Sequence, residues 1–233
     1  MHRPEVIGHR GAPRERPENT LSSFLRALDH GVDAIELDVH GTADGVVVVH
    51  HDPSPRATPS RAGPGARPIA RLTHAELAAF RIGDAERIPS LDEVLAVVGR
   101  RATVYVEIKA RGIERAVIDC VRRADAACAI HCFDHRVVRR VRELAADVPT
   151  GILMAAYLLD PARALRDAGA RDYWLEWTFI DEELVRRIHD ANGRVIAWTV
   201  NDRADAASLA AMGVDGLCTD AVPEIRPVLE RTA

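Results

Sequence analysis

Short apolar runs rich in β-branched residues alternate with amphipathic segments along the whole of this sequence, and that alternation restricts the available folds more than any other feature. The runs cover 6–8, 34–39, 46–49, 104–108, 129–132, 151–154, 173–175, 195–200 and 216–218. Helical patterns lie between them at 20–30, 91–98, 114–124, 136–146, 162–168, 182–191, 204–212 and 224–230. Strand and helix repeated in this order predict a parallel sheet with helices outside it, because parallel neighbours need a crossover and a helix supplies one. With 46–49 set aside as an extra strand, eight strands and eight helices remain, which predicts a (β/α)₈ TIM barrel occupying one domain over residues 1–233. An open doubly wound sheet is the competing architecture, but no Gly-x-Gly-x-x-Gly turn follows the first run. Asn19 or Thr20 can cap the first helix, and Gly31, Gly169, Gly193 and Gly213 follow the ends of others. The one long irregular stretch, 52–71, is rich in Pro, Gly, Arg and Ser, as a binding or lid segment would be.

Charge narrows the partners. With 31 basic and 35 acidic residues the net charge is -4, and no basic block is present to grip nucleic acid or an anionic membrane. No apolar run approaches the roughly 20 residues of a transmembrane helix. Residues 1–5 lead into the first strand with no apolar leader, so a cytoplasmic location is expected. Cys120, Cys128, Cys132 and Cys218 are scattered, which predicts reduced structural thiols. The oligomeric state is left open.

Strand alternation locates the chemistry, since residues two apart share a face. Ile35, Leu37 and Val39 oppose Ala34, Glu36 and Asp38; Val104, Val106 and Ile108 oppose Tyr105, Glu107 and Lys109. The apolar sets must face the helices, which places Glu36, Asp38, Glu107 and Lys109 inside the barrel near the C-terminal ends of two strands. Unpaired, such ions would cost several kcal/mol each. They form either a structural ion-pair network or a site where three carboxylates hold a divalent cation; an all-oxygen set favours Mg²⁺ or Ca²⁺ over zinc. Lys109 is the sole lysine of the chain, explained either by codon drift or by a position that requires an ammonium. The first strand ends in His9-Arg10-Gly11 and the run at 46–49 ends in His50-His51-Asp52. Two imidazoles near one metal suit acid–base chemistry near neutral pH, and Arg10 suits a phosphate contact. The remaining histidines, at 2, 30, 40, 74, 131, 135 and 189, read as surface or structural, with His131 the ambiguous one because it ends a strand.

In order, the chain carries His9-Arg10-Gly11, Pro17-Glu18-Asn19-Thr20, Glu36-Leu37-Asp38, Thr42-Ala43-Asp44-Gly45, His50-His51-Asp52, Pro89-Ser90-Leu91-Asp92-Glu93, Glu107-Ile108-Lys109, Trp198-Thr199-Val200-Asn201 and Thr219-Asp220. This set resembles the glycerophosphodiester phosphodiesterase family over nearly the whole chain. The resemblance implies a barrel of the PLC-like phosphodiesterase type that hydrolyses small glycerophosphodiesters to an alcohol and glycerol 3-phosphate with one divalent cation. It implies Glu36, Asp38 and Glu107 as metal ligands, His9 and His51 as the acid–base pair, and Arg10 and Lys109 as phosphate contacts. His51 takes the role over His50 because the family's histidine directly precedes Asp. Trp198 is implied as the wall for the glycerol end, or is plain barrel core. The family often has Lys where Ala43 stands and Ser where Cys132 stands, and the stretch 52–71 diverges after Asp52-Pro53, which bears on substrate choice. Two rivals remain: phospholipase D-type cleavage of lysophospholipids on the same residues, and a non-catalytic barrel binding a phosphorylated ligand.

Overall fold

All nine apolar runs are strands in the computed structural model, which describes residues 3–55, 67–83 and 85–230. The reading of His2 and the centre of the irregular stretch, 56–66, lie outside the described residues. In chain order the elements are β1 (Glu5–His9), α1 (Leu21–Asp29), β2 (Ala34–Gly41), β3 (Val47–Val49), α2 (His74–Leu77), α3 (Leu91–Val98), β4 (Thr103–Ile108), α4 (Glu114–Arg123) and β5 (Cys128–Cys132). They continue as α5 (His135–Leu144), β6 (Thr150–Met154), α6 (Pro161–Ala168), β7 (Asp172–Glu176), α7 (Glu182–Asp190), β8 (Arg194–Trp198), α8 (Arg203–Met212), β9 (Gly216–Thr219) and α9 (Val222–Glu230). Eight strands pair in parallel around a ring that closes where β1 bonds both β2 and β9. β3 stands apart, folding back antiparallel on the protruding end of β2 with Val39 opposite Val49.

Side-chain alternation divides the core into two layers. Ile35, Leu37, Val39, Val104, Val106 and Ile108 belong to the large cluster between strands and helices. Inside the ring, Ile7, Ala34, Tyr105, Ala129, Leu153, Trp174, Ile196 and Cys218 form a smaller apolar plug. Each large apolar side chain so buried contributes about 1.5–3 kcal/mol. Below the plug, at the N-terminal ends of the strands, Arg194 pairs with Glu5 at 2.9 Å and the Tyr105 hydroxyl donates to Glu5 at 2.8 Å. The polar groups at the other end are thereby confined to the C-terminal mouth, where barrel enzymes carry their chemistry.

Thr20, not Asn19, caps α1, accepting from the Ser23 amide at 3.2 Å. The short helix after the irregular stretch, α2, is a single turn held by a capping box between Thr73 and Glu76, too short for a hydrophobic period to register. Among the described residues, no helix is long and apolar enough to cross a membrane. All four cysteines are free thiols.

Candidate active site

At the end of β1 the chain reverses within three residues. Arg10 and Gly11 adopt left-handed backbone, with φ of 54° and 95°. A Cβ on Gly11 would collide with the Ser23 hydroxyl and backbone, so only glycine fits here. That close approach lets Ser23 donate to the Arg10 carbonyl at 3.0 Å and accept from the Ala12 amide at 2.8 Å. The turn aims His9 and Arg10 at the carboxylates of β2: His9 is the register partner of Glu36, and the Arg10 amide donates to the Glu36 carboxylate at 3.2 Å.

Glu36 and Asp38 of β2 and Glu107 of β4 are all buried on the inner face, as the alternation requires. Asp38 accepts from the Asn19 side-chain amide at 2.8 Å and forms ion pairs with Arg10 Nε at 3.1 Å and Lys109 Nζ at 3.2 Å. Burial opposes its charge, but Lys109 and Arg10 outweigh it and hold its pKa below the ordinary carboxylate range. Glu107 accepts from Lys109 at 2.7 Å, yet burial, together with the charges of Asp38 and Glu36, pushes its pKa up. Lys109 is driven the opposite way to its burial, upward, by Glu107 and Asp38. Three carboxylates against two fixed cations leave a negative excess that another cation would relieve.

The two predicted acid–base histidines are each oriented by a carboxylate. His9 Nδ1 lies 2.6 Å from Asp220 Oδ1, and His51 Nδ1 lies 2.8 Å from Asp52 Oδ1. In each case the other ring nitrogen is left for work at the mouth. Burial disfavours a charged His9, but the hydrogen bond it donates to Asp220 and the charge of Glu36 prevail and raise its pKa. Asp220 is itself clamped by Asn201, whose amide donates to it at 2.9 Å and whose carbonyl accepts from the Asp220 amide at 2.9 Å. His50 turns inward, its pKa lowered by burial.

A cleft opens at the mouth, lined among others by His9, Arg10, Glu36, Glu107 and Trp198. Trp198 is half-buried and meets the exposed Phe133 edge to face at 5.5 Å. The structure therefore gathers Glu36, Asp38, Glu107, Arg10 and Lys109 into one network with His9 at its edge, and sets Trp198 on the wall. His51 stands at the rim, close enough for its charge to act on Asp38.

Three residues here were not singled out as site residues: Asn19, Asp220 and His131. Asn19 and Asp220 stand inside motifs already quoted, and position relative to a strand end was the available signal. His131 is buried on β5 rather than at the surface, as is His40 on β2. One ligand atom each from Glu36, Glu107 and His131 lies within 4.8 Å of the others, a spacing fit for one metal ion. The buried ring nitrogens of His131, neither with a hydrogen-bond partner, agree with a site that needs a cation.

Asp220→Asn is expected to remove the upward push on the His9 pKa. The sign follows from linkage: a raised imidazole pKa stabilises the folded chain below the ordinary value, and that contribution fades as pH climbs through the raised one. An NMR titration of His9 should show its midpoint fall in the variant, and an unchanged midpoint would remove Asp220 from this role. Turnover should drop roughly tenfold to a hundredfold, a part of the 10²–10⁴ that a positioned acid–base group supplies.

A profile of the Glycerophosphoryl diester phosphodiesterase family matches residues 9–224. The chain is 32% identical over 230 residues to a glycerophosphodiester phosphodiesterase of Caldanaerobacter subterraneus subsp. tengcongensis, covering 92% of this chain and 93% of that one. It is 27% identical over 237 residues to the glycerophosphodiester phosphodiesterase of Bacillus altitudinis, covering 93% and 94%. The structure superposes with a TM-score of 0.88 on an Oleispira antarctica phosphodiesterase solved with its product sn-glycerol-3-phosphate, at 26% identity and 97% coverage of both chains.

Proposed function

The chain belongs to the glycerophosphoryl diester phosphodiesterase family, and from that premise we propose how its own residues carry out the hydrolysis of glycerophosphodiesters to an alcohol and glycerol 3-phosphate. The observation that carries the reading is the pair of carboxylate-oriented histidines, His9 with Asp220 and His51 with Asp52, at the mouth that holds Glu36, Asp38, Glu107, Arg10 and Lys109.

Glu36, Asp38 and Glu107 are the residues that would hold a divalent cation, and as an all-oxygen set they would take Mg²⁺ or Ca²⁺. Bound there, the cation supplies Lewis acidity toward the phosphate and a template for the glycerol end. With it, the negative excess of the network becomes positive, and the single charge of a phosphodiester closes the balance. Arg10 and Lys109 steady the non-bridging oxygens as charge builds on them. One of the two histidines accepts the proton of the glycerol 2-hydroxyl, whose oxygen attacks phosphorus. The bond from phosphorus to the leaving alcohol breaks, and the other histidine donates the proton that this oxygen needs. Water then opens the cyclic phosphate at the 2-oxygen, the histidines exchanging roles, and glycerol 3-phosphate departs. Trp198 packs against the glycerol carbons. One barrel domain over 1–233 performs this chemistry in the cytoplasm.

The test is a panel on purified protein, reading release of glycerol 3-phosphate from glycerophosphocholine. A diester whose 2-hydroxyl is blocked should remain intact, and its cleavage would rule out the cyclic step. Exhaustive chelation should abolish turnover, and restored divalent cation should return it; activity that survives chelation would remove the metal.

A second reading, cleavage of lysophospholipids by the same residues, draws support from the rim. Phe133, Tyr157, Leu159 and Phe179 are exposed on the loops that follow β5, β6 and β7, where an acyl chain could lie. Comparing turnover of glycerophosphocholine with that of a lysophosphatidylcholine separates the two.

A further inference from the structure

We propose that His131 is itself a metal ligand, and that the cation of this barrel is a first-row transition ion such as Mn²⁺, Co²⁺ or Zn²⁺ rather than Mg²⁺ or Ca²⁺. The inference rests on the reading above that the mouth holds a divalent cation, and it changes the identity of that cation.

His131 is 1% exposed, and neither ring nitrogen has a hydrogen-bond partner. A buried polar group left this way is costly, so the fold keeps it only if something engages it. The nearest anion is Glu36, whose Oε1 lies 3.8 Å from His131 Nε2, too far for a hydrogen bond. That separation suits two ligands of one ion: donors each about 2.1 Å from a metal stand roughly 3–4 Å apart. Glu107 is the third member, placed by the sheet itself, because it is the register partner of His131 on the neighbouring strand.

The ring cannot easily turn away. It stacks on Trp174 with centroids 4.4 Å apart and planes 23° from parallel, and Trp174 is braced edge-on by Tyr105 at 5.0 Å. Both supports belong to the apolar plug that closes the barrel below the site. An imidazole locked by packing beside two carboxylates is a preformed nitrogen donor.

A mixed nitrogen and oxygen set selects differently from oxygen alone. Imidazole adds little for Mg²⁺ or Ca²⁺, which are hard ions that prefer oxygen, but strengthens binding along the series from Mn²⁺ to Zn²⁺. The choice of ion would thus be written in β5, one strand from Glu107 on β4 and two from Glu36 and Asp38 on β2.

The experiment loads chelator-stripped, full-length protein with Mn²⁺ and records pulsed EPR, while chelator competition measures affinity for Mn²⁺, Zn²⁺, Mg²⁺ and Ca²⁺ in wild type and His131→Gln. A nitrogen coupling to Mn²⁺ is expected in wild type and its loss in the variant. Zn²⁺ and Mn²⁺ should bind the variant at least about tenfold more weakly, with Mg²⁺ and Ca²⁺ changed by less than about twofold. An Mn²⁺ complex without nitrogen coupling in wild type overturns the proposal, and that spectrum decides even if the variant does not fold. A coupling that persists in a folded His131→Gln overturns it too, by assigning the nitrogen to another residue such as His9. The two readings fail separately. Diester hydrolysis with only an oxygen-ligated ion leaves the hydrolase and removes His131. A nitrogen-ligated ion in a protein that cleaves no glycerophosphodiester does the reverse.

Discussion

His51→Ala is expected to lower turnover of glycerophosphocholine by about 10²–10⁴-fold without unfolding the protein. The side chain is 36% exposed and sits at the rim, so little packing is lost with the ring. What disappears is an imidazole held in register by Asp52 at 2.8 Å, on a backbone whose carbonyl is tied to His40 Nε2 at 3.1 Å. His9→Ala should cost a similar factor, and the double variant far less than the product of the two, since the pair acts as one proton-transfer unit. The adjacent His50→Ala is the control. Its inward ring should influence melting temperature more than rate. Retention of more than about a tenth of the wild-type rate in His51→Ala would show that the role lies elsewhere.

The second large effect is expected at the sole lysine. Lys109 Nζ is shared between Glu107 at 2.7 Å and Asp38 at 3.2 Å. A forked guanidinium keeps the charge but is wider and flat, and it would spread the two carboxylates that a compact ammonium draws together. Lys109→Arg should therefore lose on the order of a hundredfold in kcat with little change in melting temperature. Lys109→Met should do more, because it leaves Glu107 and Asp38 facing each other. Breaking a fully buried pair costs about 3–5 kcal/mol, and the partly solvated ammonium here places the loss nearer 2 kcal/mol. Added divalent cation should restore some of that stability, as one positive charge replaces another. Wild-type turnover in Lys109→Arg would return the lysine to codon drift.

Strand periodicity carried most of the fold because each strand of a closed parallel barrel has an apolar outer face, and its inner face is legible by contrast. Glu36, Asp38, Glu107 and Lys109 were visible for that reason: charges alternating with Leu37 and Ile108 have only the barrel interior to enter. His131 was harder to read. Its neighbours Ile130 and Cys132 are buried in the outer layer, so alternation does send it inward, but one histidine among apolar residues has no charge pattern around it. Its significance comes from Glu107 and Glu36, which are distant in sequence and adjacent only through the sheet. Asn19 and Asp220 were hidden for a related reason. Each acts through a side chain pointing across the mouth to a different strand end, and such contacts leave no periodic trace. The aromatic rim leaves no sequence signal, because its exposed rings, Phe133, Tyr157 and Phe179, stand singly on the loops after β5, β6 and β7.

The way β3 is attached has an evolutionary consequence. His51 follows a strand bonded to the same β2 that carries Glu36 and Asp38, with the His50 amide donating to the Asp38 carbonyl at 2.9 Å and the Val49 amide to Pro89 at 2.8 Å. Just beyond, the Ile69 amide closes on the Pro53 carbonyl at 2.8 Å, and Ile69 is buried with Val48, Leu72, Leu77 and Ile88. The chain between Pro53 and Ile69 thus leaves and re-enters through a fastened neck. Lengthening such a segment costs little, since closure entropy grows only with the logarithm of its length. Descendants of this sequence can change the length of chain between the two anchors while the pairing that positions His51 beside β2 stays as it is. The neck lets the length between those anchors vary and leaves the reaction itself inherited.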